Sequence, residues 1–158
     1  GRRANLSVMK RTSVAHLNCS VAQTLEVVGE WWTLLVVRNL MFGQRRFEAI
    51  QGDLGIARNI LSDRLGTLVE HGIVDRVKYQ DHPERFEYRL TDKGRDLFPV
   101  IAALMTWGDR WAAPTGRPIE LVHECGQVAT ATVVCDHCGG PLTLHNVRAT
   151  AGPAWHRD

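Results

Sequence analysis

The chain has 158 residues, enough for one full domain and a small appendage. An apolar fraction of 44% is ordinary for a globular protein and excludes a disordered chain, while no apolar run approaches the roughly 20 residues that span a bilayer. Net charge is only +2, which does not by itself point to a nucleic-acid partner, so the placement of charge matters more than its sum.

Arg2, Arg3, Lys10 and Arg11 precede the first acidic residue, Glu26. The chain opens on Gly1 with no hydrophobic leader in residues 1–7, so the expected compartment is the cytoplasm and no fold role is given to these residues. Farther on, Arg45, Arg46, Arg58, Arg64, Arg76, Lys78 and Arg85 concentrate around one predicted helix and one predicted hairpin. For any single arginine a solvated surface explains the charge; the concentration asks for more.

In chain order, Ser20 and Gln23 have the spacing of a capping box at a helix start, with Val21, Leu25 and Val28 on one face and Gly29 as the stop. Residues 30–42 are apolar on nearly all sides, which predicts a central core helix sandwiched between others. After Gly43 the pattern predicts a short helix over 47–51, with Phe47 and Ile50 inward and a turn at 52–55. A longer helix follows over 57–71, in which Leu61, Leu65 and Leu68 form one stripe and Gly72 is a left-handed cap. Short helix, Gly-containing turn and longer amphipathic helix make a helix-turn-helix. The period then becomes alternating: Val77 and Tyr79, a turn at 80–84, then Phe86, Tyr88 and Leu90 predict a hairpin, that is, a wing. Thr91 caps a predicted helix over 92–111, kinked at Pro99, whose Leu97, Ile101, Leu104, Gly108 and Trp111 form a stripe beside Phe98 and Met105. Its apolar surface on two sides calls for a matching helix from a second copy. Pro114, Gly116 and Pro118 mark a linker, and short β-type runs at 120–122 and 128–134 follow, with turns at Gly126 and Gly139–Gly140. The fold expected is mainly α with small β: a winged helix-turn-helix and dimerisation domain over 15–112, ending in a long helix, and a small β-rich extension over 119–158.

The residues Cys19-Ser20-Val21-Ala22, Gly29-Glu30-Trp31-Trp32-Thr33-Leu34-Leu35, Arg45-Arg46-Phe47, Leu61-Ser62-Asp63-Arg64-Leu65 and Tyr88-Arg89-Leu90-Thr91-Asp92-Lys93-Gly94 form an ordered series. In this series the chain resembles the HxlR-type regulators, a branch of the winged helix-turn-helix proteins. The resemblance implies a dimer joined through terminal helices and bound to operator DNA. Two positions depart from the family pattern: Ser20 replaces a proline, and Ala57 replaces a Ser or Thr near the start of the recognition helix. Ala57 has no side-chain oxygen to cap with, a loss of about 1 kcal/mol unless something substitutes.

The leucine stripe sets which way the predicted recognition helix faces. Arg58, Asn59 and Ser62, with Arg64 on the flank, then fall on the open surface. Arginine can grip a guanine edge and asparagine an adenine edge, each worth roughly 1–3 kcal/mol of discrimination. Arg64 has an alternative role, pairing with Glu70 or packing across its own domain. Arg45 and Arg46 flank a helix start suited to phosphate, while Lys78, His82 and Arg85 decorate the wing. Two such helices in a symmetric dimer would read half-sites roughly 34 Å apart, so a near-palindromic operator is expected, with repression as the regulatory sense. The expected partners are double-stranded DNA and a second copy, with no membrane; an unidentified small-molecule effector remains open. Trp31, Trp32 and Trp107 are read as core or dimer interface rather than a ligand pocket.

Cys135-Asp136-His137-Cys138-Gly139 has the shape of a zinc knuckle. Cys125-Gly126 looks like half of a second one whose first ligand position holds Val122; His123 is the nearest substitute, with His137 and His145 as further candidates. A closed structural zinc site of His123, Cys125, Cys135 and Cys138 stands beside the alternative of free thiols or a residual knuckle. Cys19, at a predicted helix start, is a candidate redox residue, because some regulators resembling this family sense oxidants or electrophiles there; a buried structural thiol is the other reading. An enzyme is not expected: a deaminase-type zinc site needs His-x-Glu, whereas Glu124 directly follows His123, and no phosphate loop or nucleophile elbow is present. A protein-interaction module using the extension is the third class; it would lack the steep salt dependence of DNA binding.

Overall fold

The computed structural model describes residues 12–155, so Arg2, Arg3, Lys10 and Arg11 lie outside the described residues. Helix α1 (Ser20–Val28) starts on Ser20 itself, with Cys19 as its N-cap and no side-chain cap. The expected capping box therefore does not form: Gln23 Nε2 donates instead to the carbonyls of Ala15 (2.9 Å) and Leu17 (3.1 Å), tying down the incoming chain. Helix α2 (Trp31–Met41) is the central element, burying Thr33, Val36, Val37, Asn39 and Leu40. Trp31 departs from the core expectation, since it opens the helix on its outer side and is 87% exposed.

Asn39 is one of two polar residues buried in α2, with Thr33, and its amide is fully used. Nδ2 donates to Asp53 Oδ2 (2.8 Å) and Gln44 Oε1 (2.9 Å), and Oδ1 accepts from Arg38. These bonds offset the desolvation of the amide and lock α2 to α3 (Phe47–Leu54). Helix α3 runs through Gly52 and Asp53, longer than the predicted 47–51, and the turn proper is Gly55, at φ 61°. Helix α4 (Arg58–Glu70) begins after Ala57, which makes no side-chain cap. Its Leu61, Leu65 and Leu68 are buried against the cluster of Val36, Val37, Leu40 and Ile50, and Gly72 closes it at φ 66°.

The wing is the antiparallel pair β1 (Val74–Gln80) and β2 (Arg85–Leu90), registered from Val74↔Leu90 to Gln80↔Arg85. Tyr88 N donates to the Arg45 carbonyl at 2.8 Å, which fastens the wing to the start of α3. This is a winged helix-turn-helix, mainly α with small β.

Thr91 caps α5 (Asp92–Arg95) by accepting from Gly94 N at 3.1 Å, and its own hydroxyl donates to the Gly72 carbonyl at 2.7 Å. The single kinked helix expected over 92–111 is instead two: α5 stops, and α6 (Phe98–Trp111) starts afresh with Pro99 in its first turn. A proline there lacks an amide that the helix would leave unused anyway, so it initiates rather than kinks. Beyond α6 the strands are shorter than predicted: β3 (Leu121–Val122) pairs with β4 (Val128–Ala129), and a single bridge joins Val134 to Pro141. The extension rests on the body through Ala131 N to Thr106 Oγ1 (3.0 Å) and Asn18 Nδ2 to the Ala154 carbonyl (3.1 Å). Among the described residues, no helix is long and apolar enough to cross a membrane.

Gly94 is where α5 meets the end of α4. A Cβ there would collide with the Ile73 carbonyl oxygen and stand 3.0 Å from Leu90 Cδ2. Since the obstacle is backbone, Gly94→Ala is expected to cost about 1–3 kcal/mol or more, as other forced overpacking does. Denaturant unfolding of the variant checks this; an unchanged midpoint would show that α5 does not press on Ile73.

Candidate nucleic-acid interface

With three leucines inward, α4 leaves Arg58, Asn59 and Ser62 exposed on its outer face. Beside its N-terminus, α3 and the wing enclose an open cleft of about 690 Å³. Its cationic lining is Arg46, Arg58, Arg76 and Arg85; Phe47, Tyr79, Phe86 and Tyr88 give it aromatic walls, and the carboxylates of Glu48 and Glu84 line it too.

Three of these arginines lie over rings. The Arg58 guanidinium carbon is 4.7 Å from the Phe47 centroid, that of Arg46 is 5.0 Å from Tyr79, and that of Arg76 is 3.6 Å from Phe86. Such contacts draw on the ring quadrupole and restrain the long side chain, while N–H donors remain for an anion. Arg76 belongs to the basic stretch of the sequence without an assigned role, while Phe47 is expected there to face inward and Tyr79 and Phe86 to alternate along the hairpin, none of them as a partner for an arginine. The signal was present as basic and aromatic residues recurring along β1 and β2, but only the register shows which cation meets which ring.

The other predicted residues divide. Arg85 shares the cleft, while Arg45, though adjacent to Arg46, lines a separate hollow of about 480 Å³ with Leu90, Arg95 and Phe98. Lys78 stays on the wing, held by Glu84 (2.7 Å) and Asp81 (3.7 Å). Arg64 turns toward its own domain: Nη1 lies 3.7 Å from Glu30 Oε2, its side chain is 23% exposed, and its Nε is buried without a hydrogen-bond partner. Its ion-pair partner is thus Glu30 on the approach to α2, not Glu70.

The cysteines are dispersed. Cys19 is exposed at the α1 N-cap, so it is not a buried structural thiol. His123 and Cys125 occupy the β3–β4 turn, where the Cys125 amide donates to His123 Nδ1 at 3.3 Å. Cys135 and Cys138 share a separate tight loop, and among the described residues no three His, Cys, Asp or Glu side chains converge to hold a metal ion. The four-ligand set His123, Cys125, Cys135 and Cys138 is therefore not assembled here. Hydrogen bonds from the Cys138 and His137 amides, then from the Cys138 side chain, hold the Cys135 thiol below its ordinary range against a small opposing effect of burial. Thiolate is the alkylating species, so the Cys135 rate should rise with pH through a midpoint below that of an ordinary cysteine. Peptide-resolved iodoacetamide kinetics measure that midpoint, and an ordinary or raised value would contradict these hydrogen bonds.

A family model described as HxlR-like helix-turn-helix matches residues 27–115, spanning α2 to the end of α6. An uncharacterised HTH-type transcriptional regulator of Mycobacterium tuberculosis is 51% identical over 138 residues, covering 86% of this chain and 87% of the relative. Among solved structures, PA1607, a candidate transcription factor, superposes with a TM-score of 0.80 at 39% identity, over 89% of this chain and all of the other. PA1374 from Pseudomonas aeruginosa, a second candidate transcription factor, gives a TM-score of 0.61 at 36% identity, over 87% of this chain and 95% of its own.

Proposed function

The chain belongs to the HxlR-like helix-turn-helix family, and from that premise we propose that it binds near-palindromic operators as a homodimer and represses the adjoining genes. The observation that carries the reading is the exposed row Arg58, Asn59 and Ser62 on a helix whose opposite face is anchored by leucines, with the arginine-lined cleft beside it. In this reading α4 enters the major groove, and Arg58 and Asn59 contact base edges. Arg46, Arg76 and Arg85 take backbone phosphates, setting register and carrying little sequence information. Arg45 and Lys78 reach phosphate only outside the cleft, and Arg64 contributes chiefly by holding α4 to the approach of α2. An unidentified small molecule as effector, and the division into units at 15–112 and 119–158, belong to the same reading.

The dimer is supported by the second face of α6. Ile101 and Ala102 pack inward, whereas Val100, Leu104, Trp107 and Trp111 fall at i, i+4, i+7 and i+11 and are all exposed, Trp107 at 62% and Trp111 at 64%. A continuous apolar stripe of this size on a helix is costly in water, and a symmetric copy of the same stripe covers it. Occupation of an operator by such a dimer would block access to the DNA beneath it, which is the basis for reading repression.

Two measurements test these parts separately. Arg58→Ala combined with Asn59→Ala should remove operator discrimination worth about 1–3 kcal/mol per lost base contact, leaving weak, salt-dependent binding by a folded protein. Competition binding with operator and random duplexes reads this, and undiminished preference for operator would refute the assigned face. Leu104→Glu with Trp107→Glu should yield a monomer by light scattering with the helical signal retained; a persistent dimer would place the interface elsewhere.

A further inference from the structure

We propose that the hollow between α2, the wing and the start of α6 binds an amphipathic monocarboxylate, a small molecule with one carboxylate on an apolar body. Its volume of about 480 Å³ falls within the roughly 300–1,000 Å³ of small-ligand sites. Leu40, Met41, Leu90 and Phe98 give it apolar walls, and Arg45, Arg89 and Arg95 supply its charge. Leu40 is buried and Phe98 is 46% exposed, so the apolar surface runs from the core out to solvent. Among the described residues no Asp or Glu lines this hollow, whereas Glu48 and Glu84 temper the arginines of the cleft beside α4.

The three cations are not equivalent. Arg89 is held by Glu87 and Arg95 by Asp92, and Arg95 Nη1 also donates to the Leu90 carbonyl at 2.7 Å. The Arg45 side chain makes no hydrogen bond or ion pair among the described residues. A guanidinium offers a carboxylate two parallel N–H donors, and one unmatched cation calls for one negative charge. The apolar walls take the rest of the molecule, since a bare inorganic anion would leave them in water.

The site adjoins the cleft beside α4. Tyr88 lines both, and its amide donates to the Arg45 carbonyl at 2.8 Å. Arg45 and Arg46 are neighbours in the chain yet line different sides of that partition. A carboxylate seated on Arg45 withdraws this guanidinium from DNA phosphate, so ligand and operator oppose one another. That regulatory consequence rests on the operator reading proposed above; binding of the ligand does not.

The test is calorimetric titration of the full chain, without DNA, with octanoate and phenylacetate, using octanamide, phenylacetamide and inorganic phosphate as controls. At least one acid should bind once per chain, about tenfold or more tighter than its amide, as befits a charge-assisted pair. Arg45→Gln should abolish that preference with circular dichroism unchanged, and Arg148→Gln, an exposed cation of the extension, should keep it. Under saturating acid, operator affinity should fall, and its logarithmic dependence on salt should become shallower by about 0.9 per protomer. Equal binding of acid and amide, phosphate bound as tightly as the acids, a preference retained in Arg45→Gln, or binding of neither acid would overturn the site. Acid bound with operator affinity unchanged would overturn the antagonism alone. Failure to bind any operator would count against the operator reading and leave the calorimetric result standing.

Discussion

Burial of Leu61, Leu65 and Leu68 against α2 is the constraint on which the remaining geometry rests. All three are at most 1% exposed and meet Val36, Val37 and Ile50, themselves fully enclosed. Each such side chain contributes about 1.5–3 kcal/mol by leaving water, so rotating α4 about its axis would forfeit several kcal/mol. The helix consequently has one rotational setting, and that setting decides which side chains are offered outward. Arg58, Asn59 and Ser62 owe their presentation to leucines that never approach a ligand.

The setting is reinforced at the middle of α4 and at its C-terminal end. Arg64 and Glu30 link α4 to the approach of α2, while Gly72 turns the chain so that Ile73 and Val74 enter the core and start the wing. The Ile73 carbonyl then receives Thr91 N at 3.1 Å and lies against Gly94 without room for a side chain. This pins the far end of the hairpin to the end of α4. The Tyr88–Arg45 backbone bond pins its middle to α3, so helix and wing present their arginines as one surface.

Much of this was legible in sequence. A repeat of leucines at i, i+4 and i+7 leaves one orientation, and alternating Phe86, Tyr88 and Leu90 fix the strand, because periodicity follows directly from backbone geometry. What escaped depended on partners distant in the chain. Pro99 carried the same local meaning as a kink or as a start, and only the halt of α5 decided between them. Gln23 had capping-box spacing, yet residues 15–17 offered carbonyls that the pattern could not foresee. Arg64 found Glu30 across the domain rather than Glu70 along its own helix. The aromatic supports of Arg46, Arg58 and Arg76 arise from three elements meeting, which no single window of sequence contains. Cys125 and Cys135 are ten positions apart and still do not meet, since each closes its own turn.

The central claim concerns a groove: the polar side of α4 is the part that reads DNA. Methylation interference on an operator selected from random duplexes addresses it most directly, because methylation of guanine N7 obstructs the major groove alone. Two clusters of interfering guanines, roughly one helical turn apart, are expected. Binding indifferent to N7 methylation, or blocked only by modification in the minor groove, would contradict the account.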